Sequence, residues 1–184
     1  MFETDRFIAD CREAGRASGP PGVLEVVSAA VTTTAEILHA LGEPRRAGVN
    51  VLYRSPELTI INLIWGPQMC QLPHDHRMWA VIGIYTGRED NIFWRRPAGV
   101  PTGRIEAAGA KALSEREAVP LGPDIIHSVI NPISRLTGAI HVYGGDFFAA
   151  THSQWDPERL LEEPYDVNRL LALFEESNRV HASA

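Results

Sequence analysis

Hydrophobic and polar positions divide the chain into stretches of different period. Over residues 2–17, Phe2, Phe7, Ile8 and Cys11 recur at roughly helical spacing, and "GPPG" at 19–22 ends the segment. Residues 23–41 repeat the helical pattern with Leu24, Val27, Val31, Ile37 and Leu41. The β-branched run at 32–34 weakens that helix, and Gly42 is placed to end it. After residue 47 the period shortens. "VNVLYR", "LTIINLIW", "MWAVIGIY", "NIFWRR", "IIHSVI" and "GAIHVYG" are short β-branched and aromatic runs. "SPE", "WGPQ", "TGRED", "RPAGVPTG", "PLGPD" and "NPIS" punctuate them with turn residues. Many short strands between turns predict an antiparallel sandwich or barrel. Helical spacing returns at 166–176, where Val167, Leu170, Leu171 and Phe174 fall at i, i+3, i+4 and i+7. The expected architecture is a single, mainly β domain: N-terminal helices over 1–46, a β-barrel over 48–150, and a C-terminal segment with a helix over 151–184.

Composition narrows the partners. The chain has 184 residues and 45% hydrophobic content, enough for one domain with a core. With 17 basic against 23 acidic residues the net charge is -6, and no basic block exists, so no nucleic acid is expected. No apolar run approaches the ~18 residues of a membrane span. The opening "MFETDRFIADCREAG" does not read as an export signal. Cys11 and Cys70 then read as free thiols, and a cytoplasmic location is expected.

The candidate chemistry lies in the histidines at 39, 74, 76, 127, 141, 152 and 181. His39 and His181 read as solvated or capping groups. If residues 74–85 form one strand, His74, His76, Met78 and Ala80 share a face, with Asp75 and Arg77 opposite. Two imidazoles side by side suit Fe, Zn, Cu or Ni; a polar strand entrance is the plainer reading. His127 sits within the apolar run "LGPDIIHSVIN", where it is costly unless its nitrogens find partners. Three histidines from two strands would leave open positions for a ligand, as catalytic sites require. Ala139, His141 and Tyr143 share a face. The His141–Tyr143 pair would hold or move a proton beside a metal, or serve as a satisfied core pair. Glu89, in "TGRED" after the His strand, is another possible ligand, with a solvated hairpin residue as the plainer reading. Trp65, Trp79, Met69 and Phe93 fit an apolar wall or ordinary packing.

"PHDH" at 73–76, the following Gly83 and Gly87, "IHSV" and "AIHVYGGD" together resemble the cysteine dioxygenase-like branch of the cupin superfamily. The W-G-x7-HDH run and the H-x-Y motif narrow the match to that branch. The resemblance spans about residues 50–150, and the flanking helices are compatible. It implies a double-stranded β-helix, or jelly-roll, fold. It implies a mononuclear Fe(II) held by His74, His76 and His127, with Ni, Mn or Zn as other metals such donors accept. The family's Ser-x-His-x-Tyr relay falls on Ala139, His141 and Tyr143, so the serine is absent here. The family's carboxylate-binding arginine falls near Val49, with Arg54 a few residues on. Its thioether-forming cysteine falls near Val81. Cysteine itself is therefore not the expected substrate. Arg77, as another carboxylate partner, and Trp79 are the expected substrate contacts, with a surface ion pair as the plainer reading of Arg77. The implied function adds O2 to the sulfur of a small thiol, giving a sulfinate. The partners are a small-molecule substrate and O2, and the resemblance also allows a homodimer. The alternatives are a non-redox metal-dependent cupin enzyme (isomerase, decarboxylase or hydrolase) and a small-molecule-binding cupin.

Overall fold

Helices come first, and each ends where the sequence stops supporting it. The computed structural model describes residues 1–99 and 103–182. Helix α1 (Thr4–Ser18) stops at Gly19, whose φ of 64° favours glycine and whose N–H donates to the Gly15 carbonyl. Pro20 and Pro21 then open α2 (Pro20–Val31), where a missing N–H costs no helical bond. The helix expected over 23–41 is in fact two: α2 and α3 (Thr34–Leu41) meet at a bend of 87°. The Thr32 and Thr33 hydroxyls donate back to the carbonyls of Ala29 and Ala30 at 2.6 and 2.9 Å, competing with helix continuation. Among the described residues no single helix is long and apolar enough to cross a membrane.

The strands are β1 (Gly48–Arg54), β2 (Thr59–Trp65), β3 (Cys70–Asp75), β4 (Ala80–Thr86), β5 (Arg88–Arg95), β6 (Glu106–Ser114), β7 (Ala118–Leu121), β8 (Ile126–Ile130), β9 (Thr137–Tyr143), β10 (Ser153–Trp155) and β11 (Glu162–Pro164); helix α4 (Val167–Ala182) follows. They form two antiparallel sheets, ordered β1-β2-β9-β4-β7 and β11-β10-β3-β8-β5-β6. The quartets β2-β9-β4-β7 and β3-β8-β5-β6 face each other in the strand order of an eight-stranded jelly roll.

Strands β2, β9 and β4 of the first sheet are buried on both faces, which explains their largely apolar runs. Ile60 and Ile64 of β2, Val81 of β4, and Ile140 and Val142 of β9 pack outward against Val23, Val27 and Val31 of α2. Their alternates, Ile61, Leu63, Ile82, Ala139 and Tyr143, pack into the space between the sheets. Burying each α2 valine stabilises the fold by roughly 1.5–3 kcal/mol. The approach is close: a Cβ on Gly83 would lie 2.4 Å from Val27 Cγ1 and 2.9 Å from Val31 Cγ1. At the open end of the barrel, Phe174 of α4 stacks on Trp65 with ring centroids 5.9 Å apart.

Three departures from the sequence expectations bear on the site. Residues 74–85 are not one strand: the chain turns at Arg77, with φ of 56°, and β4 starts at Ala80. Strand β6 carries no alternating pattern because every residue but Leu113 is exposed. The segment after residue 150 contributes two strands to the second sheet as well as a helix.

Candidate metal centre

Strands β3 and β8 pair with His74 opposite His127, after a register shift between Gln71 and His74. His76 lies one residue past β3, ahead of the turn at Arg77. Its Nε2 lies 3.2 Å from Nε2 of His74 and 3.1 Å from Nε2 of His127. The ligand atoms of all three lie within 4.8 Å of one another, and all three rings are buried. Two imidazoles sharing an ion at about 2.1 Å, between right-angled and tetrahedral geometry, would stand about 3.0–3.4 Å apart.

The outward nitrogens complete the fit. His74 Nδ1 lies 2.9 Å from the Leu72 carbonyl, which only accepts, so Nδ1 carries the proton. His127 Nδ1 donates to Asn91 Oδ1 at 2.6 Å. Both rings therefore turn an Nε2 lone pair inward, as metal ligation requires. Burial drives His74 down to about 4, against an opposing effect from the Leu72 bond. Burial, followed by repulsion from neighbouring imidazoles, holds His76 and His127 well below the usual range. All three rings are neutral at pH 7, and their lone pairs suit a divalent cation of the Fe, Ni, Mn or Zn type.

A hydrogen-bonded chain runs from this cluster across the barrel. Asn91 donates from Nδ2 to Glu89 Oε1 at 3.0 Å. Glu89 Oε2 accepts from Trp65 Nε1 at 2.6 Å and lies 3.3 Å from His141 Nε2. His141 Nδ1 lies 3.0 Å from the Tyr143 hydroxyl. The Tyr143 ring returns to the cluster edge-on against His76, at a centroid distance of 5.0 Å. Glu89 is not the solvated hairpin residue expected: its relative exposure is 0%. Burial alone would raise its pKa, but the bonds from His141, Asn91 and Trp65 outweigh it and hold the carboxyl below its usual value. The carboxylate supplies what Ala139 lacks, an acceptor that orients the His141 imidazole. Burial, reinforced by Tyr165 and Glu89, raises Tyr143 well above its usual range, so its hydroxyl stays protonated at neutral pH.

The cluster lines a cavity of about 400 Å³. Its walls are mainly apolar, with Ile61, Leu63, Val129, Phe147, Leu170 and Trp65 among them. Among the described residues no arginine or lysine lines it. Arg77 and Trp79, the expected substrate contacts, lie elsewhere. The turn carries Arg77 to Asp75 at 2.6 Å, Ser153 at 2.9 Å and Glu162 at 3.2 Å, on the outside of the barrel. Trp79 lines a separate surface pocket with Arg12 and Leu58, over Gly144. Met69 and Phe93 pack in the core and do not line the cavity, whereas Trp65 does.

Five polar residues of the site carried no assignment in the sequence or were placed in solvent: Glu89, Asn91, Gln71, His152 and Tyr165. For the first two a signal existed, since Glu89, Asn91 and Phe93 alternate along β5 and share a face with His127. Gln71 and His152 line the cavity, and each presents a buried atom without a hydrogen-bond partner, Oε1 and Nδ1 respectively. His152 Nε2 lies 2.6 Å from the Phe147 carbonyl, so its proton is there and Nδ1 is an acceptor.

No family model matches the chain. An RmlC-like cupin family protein with a double-stranded β-helix fold from Methanocaldococcus jannaschii is 11% identical, over 58% of this chain and 86% of that one, with a TM-score of 0.47. An uncharacterized conserved protein with a double-stranded β-helix domain from Klebsiella pneumoniae is 11% identical, over 67% and 95%, with a TM-score of 0.44. Oxalate decarboxylase from Bacillus subtilis is 15% identical over 54% of this chain, with a TM-score of 0.43; the match takes in 24% of that longer chain. By its own strand order this chain is a double-stranded β-helix, enclosing a three-histidine group suited to a metal ion.

Proposed function

We propose that the protein is a mononuclear non-haem iron oxygenase that adds O2 to the sulfur of a small, mainly apolar thiol. The observation that carries this reading is that three neutral imidazoles and the His141–Tyr143 pair line one apolar cavity, with the buried Glu89 carboxylate behind His141. Fe(II), held by His74, His76 and His127, would supply the redox chemistry that converts R–SH and O2 to a sulfinate and a proton.

The chain's own residues handle that proton. Glu89 accepts from His141 Nε2, which leaves Nδ1 free to accept from the Tyr143 hydroxyl. Tyr143 takes the thiol proton on its oxygen as its own passes to His141 Nδ1, and the resulting imidazolium is stabilised by Glu89. The arrangement follows the logic of a hydroxyl–His–carboxylate triad. The walls are mainly apolar, and the absence of a lining cation among the described residues disfavours a carboxylate-bearing substrate. Gln71 Oε1 and His152 Nδ1 favour a substrate that carries a donor, an amine or a hydroxyl.

The test is O2 uptake and sulfinate formation by Fe(II)-loaded protein with 2-aminoethanethiol, 2-sulfanylethanol, cysteine and 3-sulfanylpropionate. The expected order places the first two ahead of the carboxylates. Tight metal binding with no O2 uptake on any thiol sinks the oxygenase reading. It would favour a non-redox reaction, for which the same relay offers acid–base catalysis.

A further inference from the structure

Glu89 stands where two hydrogen-bonded branches meet, and one of them ends on a metal ligand. Each bond in that branch has a direction. Trp65 Nε1 can only donate, and it points at Glu89 Oε2. An ionised carboxylate can only accept, so Asn91 must present its NH2 to Glu89 Oε1. Asn91 then has only its carbonyl oxygen for His127 Nδ1, 2.6 Å away. His127 Nδ1 must therefore hold the proton, and Nε2 must carry the lone pair. Asn91 is 1% exposed and His127 1%, so water does not substitute for either bond.

We infer that Glu89, through Asn91, sets the tautomer of His127 and is thereby a positioning residue for the metal site. The inference rests on the three-histidine metal reading and is independent of the thiol substrate. It also gives the buried carboxylate a second task beside its contact with His141. One fixed charge orients an imidazole of the relay and an imidazole of the metal cluster, from strands of opposite sheets.

The direction of the bonds makes the test specific. In Glu89→Gln the amide oxygen is forced toward Trp65, whose N–H cannot reverse. The new NH2 then faces Asn91, which must rotate to offer its oxygen. Its own NH2 turns to His127 Nδ1, and the His127 proton moves to Nε2, facing the metal position. The second variant, Glu89→Gln combined with Asn91→Asp, restores the original direction. The carboxylate it introduces at position 91 has two oxygens. One accepts from the new amide at position 89 and the other from His127 Nδ1, while the buried charge is conserved in number.

Two measurements read the outcome on the full chain. Long-range proton–nitrogen spectra of the metal-free protein report which nitrogen of His127 is protonated. Competition against a chelator gives the affinity for Zn(II) as the probe ion. Wild type is expected to show the Nδ1–H form, Glu89→Gln the Nε2–H form, and the double variant Nδ1–H again. Affinity for Zn(II) is expected to fall about 10–100-fold in the single variant and to return to within about threefold in the double variant. A single variant that keeps the wild-type tautomer and affinity overturns the inference, as does a folded double variant that behaves like the single. The tautomer readout needs no metal, so weak Zn(II) binding by wild type would count against the metal reading alone.

Discussion

The metal-free protein is expected to lose stability steeply as the pH falls from 6.5 towards 4. His74, His76 and His127 are buried together, and burial is the largest cause holding each below the ordinary imidazole pKa. For His74 the folded value is about 4 against 6.5. Above pH 6.5 the rings are neutral whether folded or not, so they contribute no pH dependence. Below it the unfolded chain takes up protons that the folded chain refuses, and stability falls until the folded rings titrate. The gap between 6.5 and about 4 corresponds to about 3 kcal/mol at ~1.4 kcal/mol per pH unit, from His74 alone. His76 and His127 add to the loss with the same sign. Carboxylates such as Glu89, whose pKa is held low, begin to act only below about 4.5, so the interval from 6.5 to 5 isolates the imidazoles. The assay is urea unfolding followed by tryptophan fluorescence in the presence of a chelator, at pH 7.5, 6.5, 5.5 and 4.5. His74→Asn is the comparator and should show a shallower slope. Stability that stays flat to within about 0.5 kcal/mol between pH 7.5 and 5 would mean that the rings titrate alike in both states, and the burial argument would fail.

Further outcomes follow from the same geometry. Zn(II) at 100 times its Kd should raise wild-type stability by about 2.7 kcal/mol, and His127→Ala should abolish the increment; full occupancy in that variant would refute the three-histidine assignment. Tyr143→Phe should lower kcat by about 10²–10⁴-fold with metal occupancy unchanged, and unaltered turnover would remove Tyr143 from proton transfer. Arg77→Ala should cost about 1 kcal/mol, because buried Asp75 loses its charged partner and keeps the Ser153 N–H, and leave KM unchanged; a selective rise in KM would place Arg77 at the substrate. Gly83→Ala should destabilise by about 1–3 kcal/mol, since its Cβ would overlap Val27 of α2, and an unchanged melting temperature would contradict that packing.

What could be read locally depended on whether a residue's partners were near it in the chain. The runs at β2, β4 and β9 were legible because burial on both faces makes them continuously apolar. Strand β6 was not, since it lies at the sheet edge and alternation has nothing to report there. The pair at 74 and 76 was legible as two imidazoles sharing a face, although the geometry assumed was a continuous strand. A turn at a non-glycine residue with positive φ, Arg77, has no short-range signature, and it sent that side chain out to Asp75 and Glu162. In β5 hydropathy points the wrong way: Ile92 is 38% exposed while Glu89 and Asn91 are buried.

The sequence by itself determined the class of fold and the identity of the three imidazoles. Period and punctuation are local properties, and histidine in an apolar run is costly wherever the run goes. Only the tertiary structure decided how those imidazoles are protonated and what surrounds them. The tautomers of His127 and His141 depend on partners brought from other strands, Asn91 on β5 and Glu89 held by Trp65 from the opposite sheet, while that of His74 depends on the Leu72 carbonyl that an irregularity in its own strand presents. A carboxylate is stable at full burial only where several donors converge on it, and that convergence arises when the two sheets close.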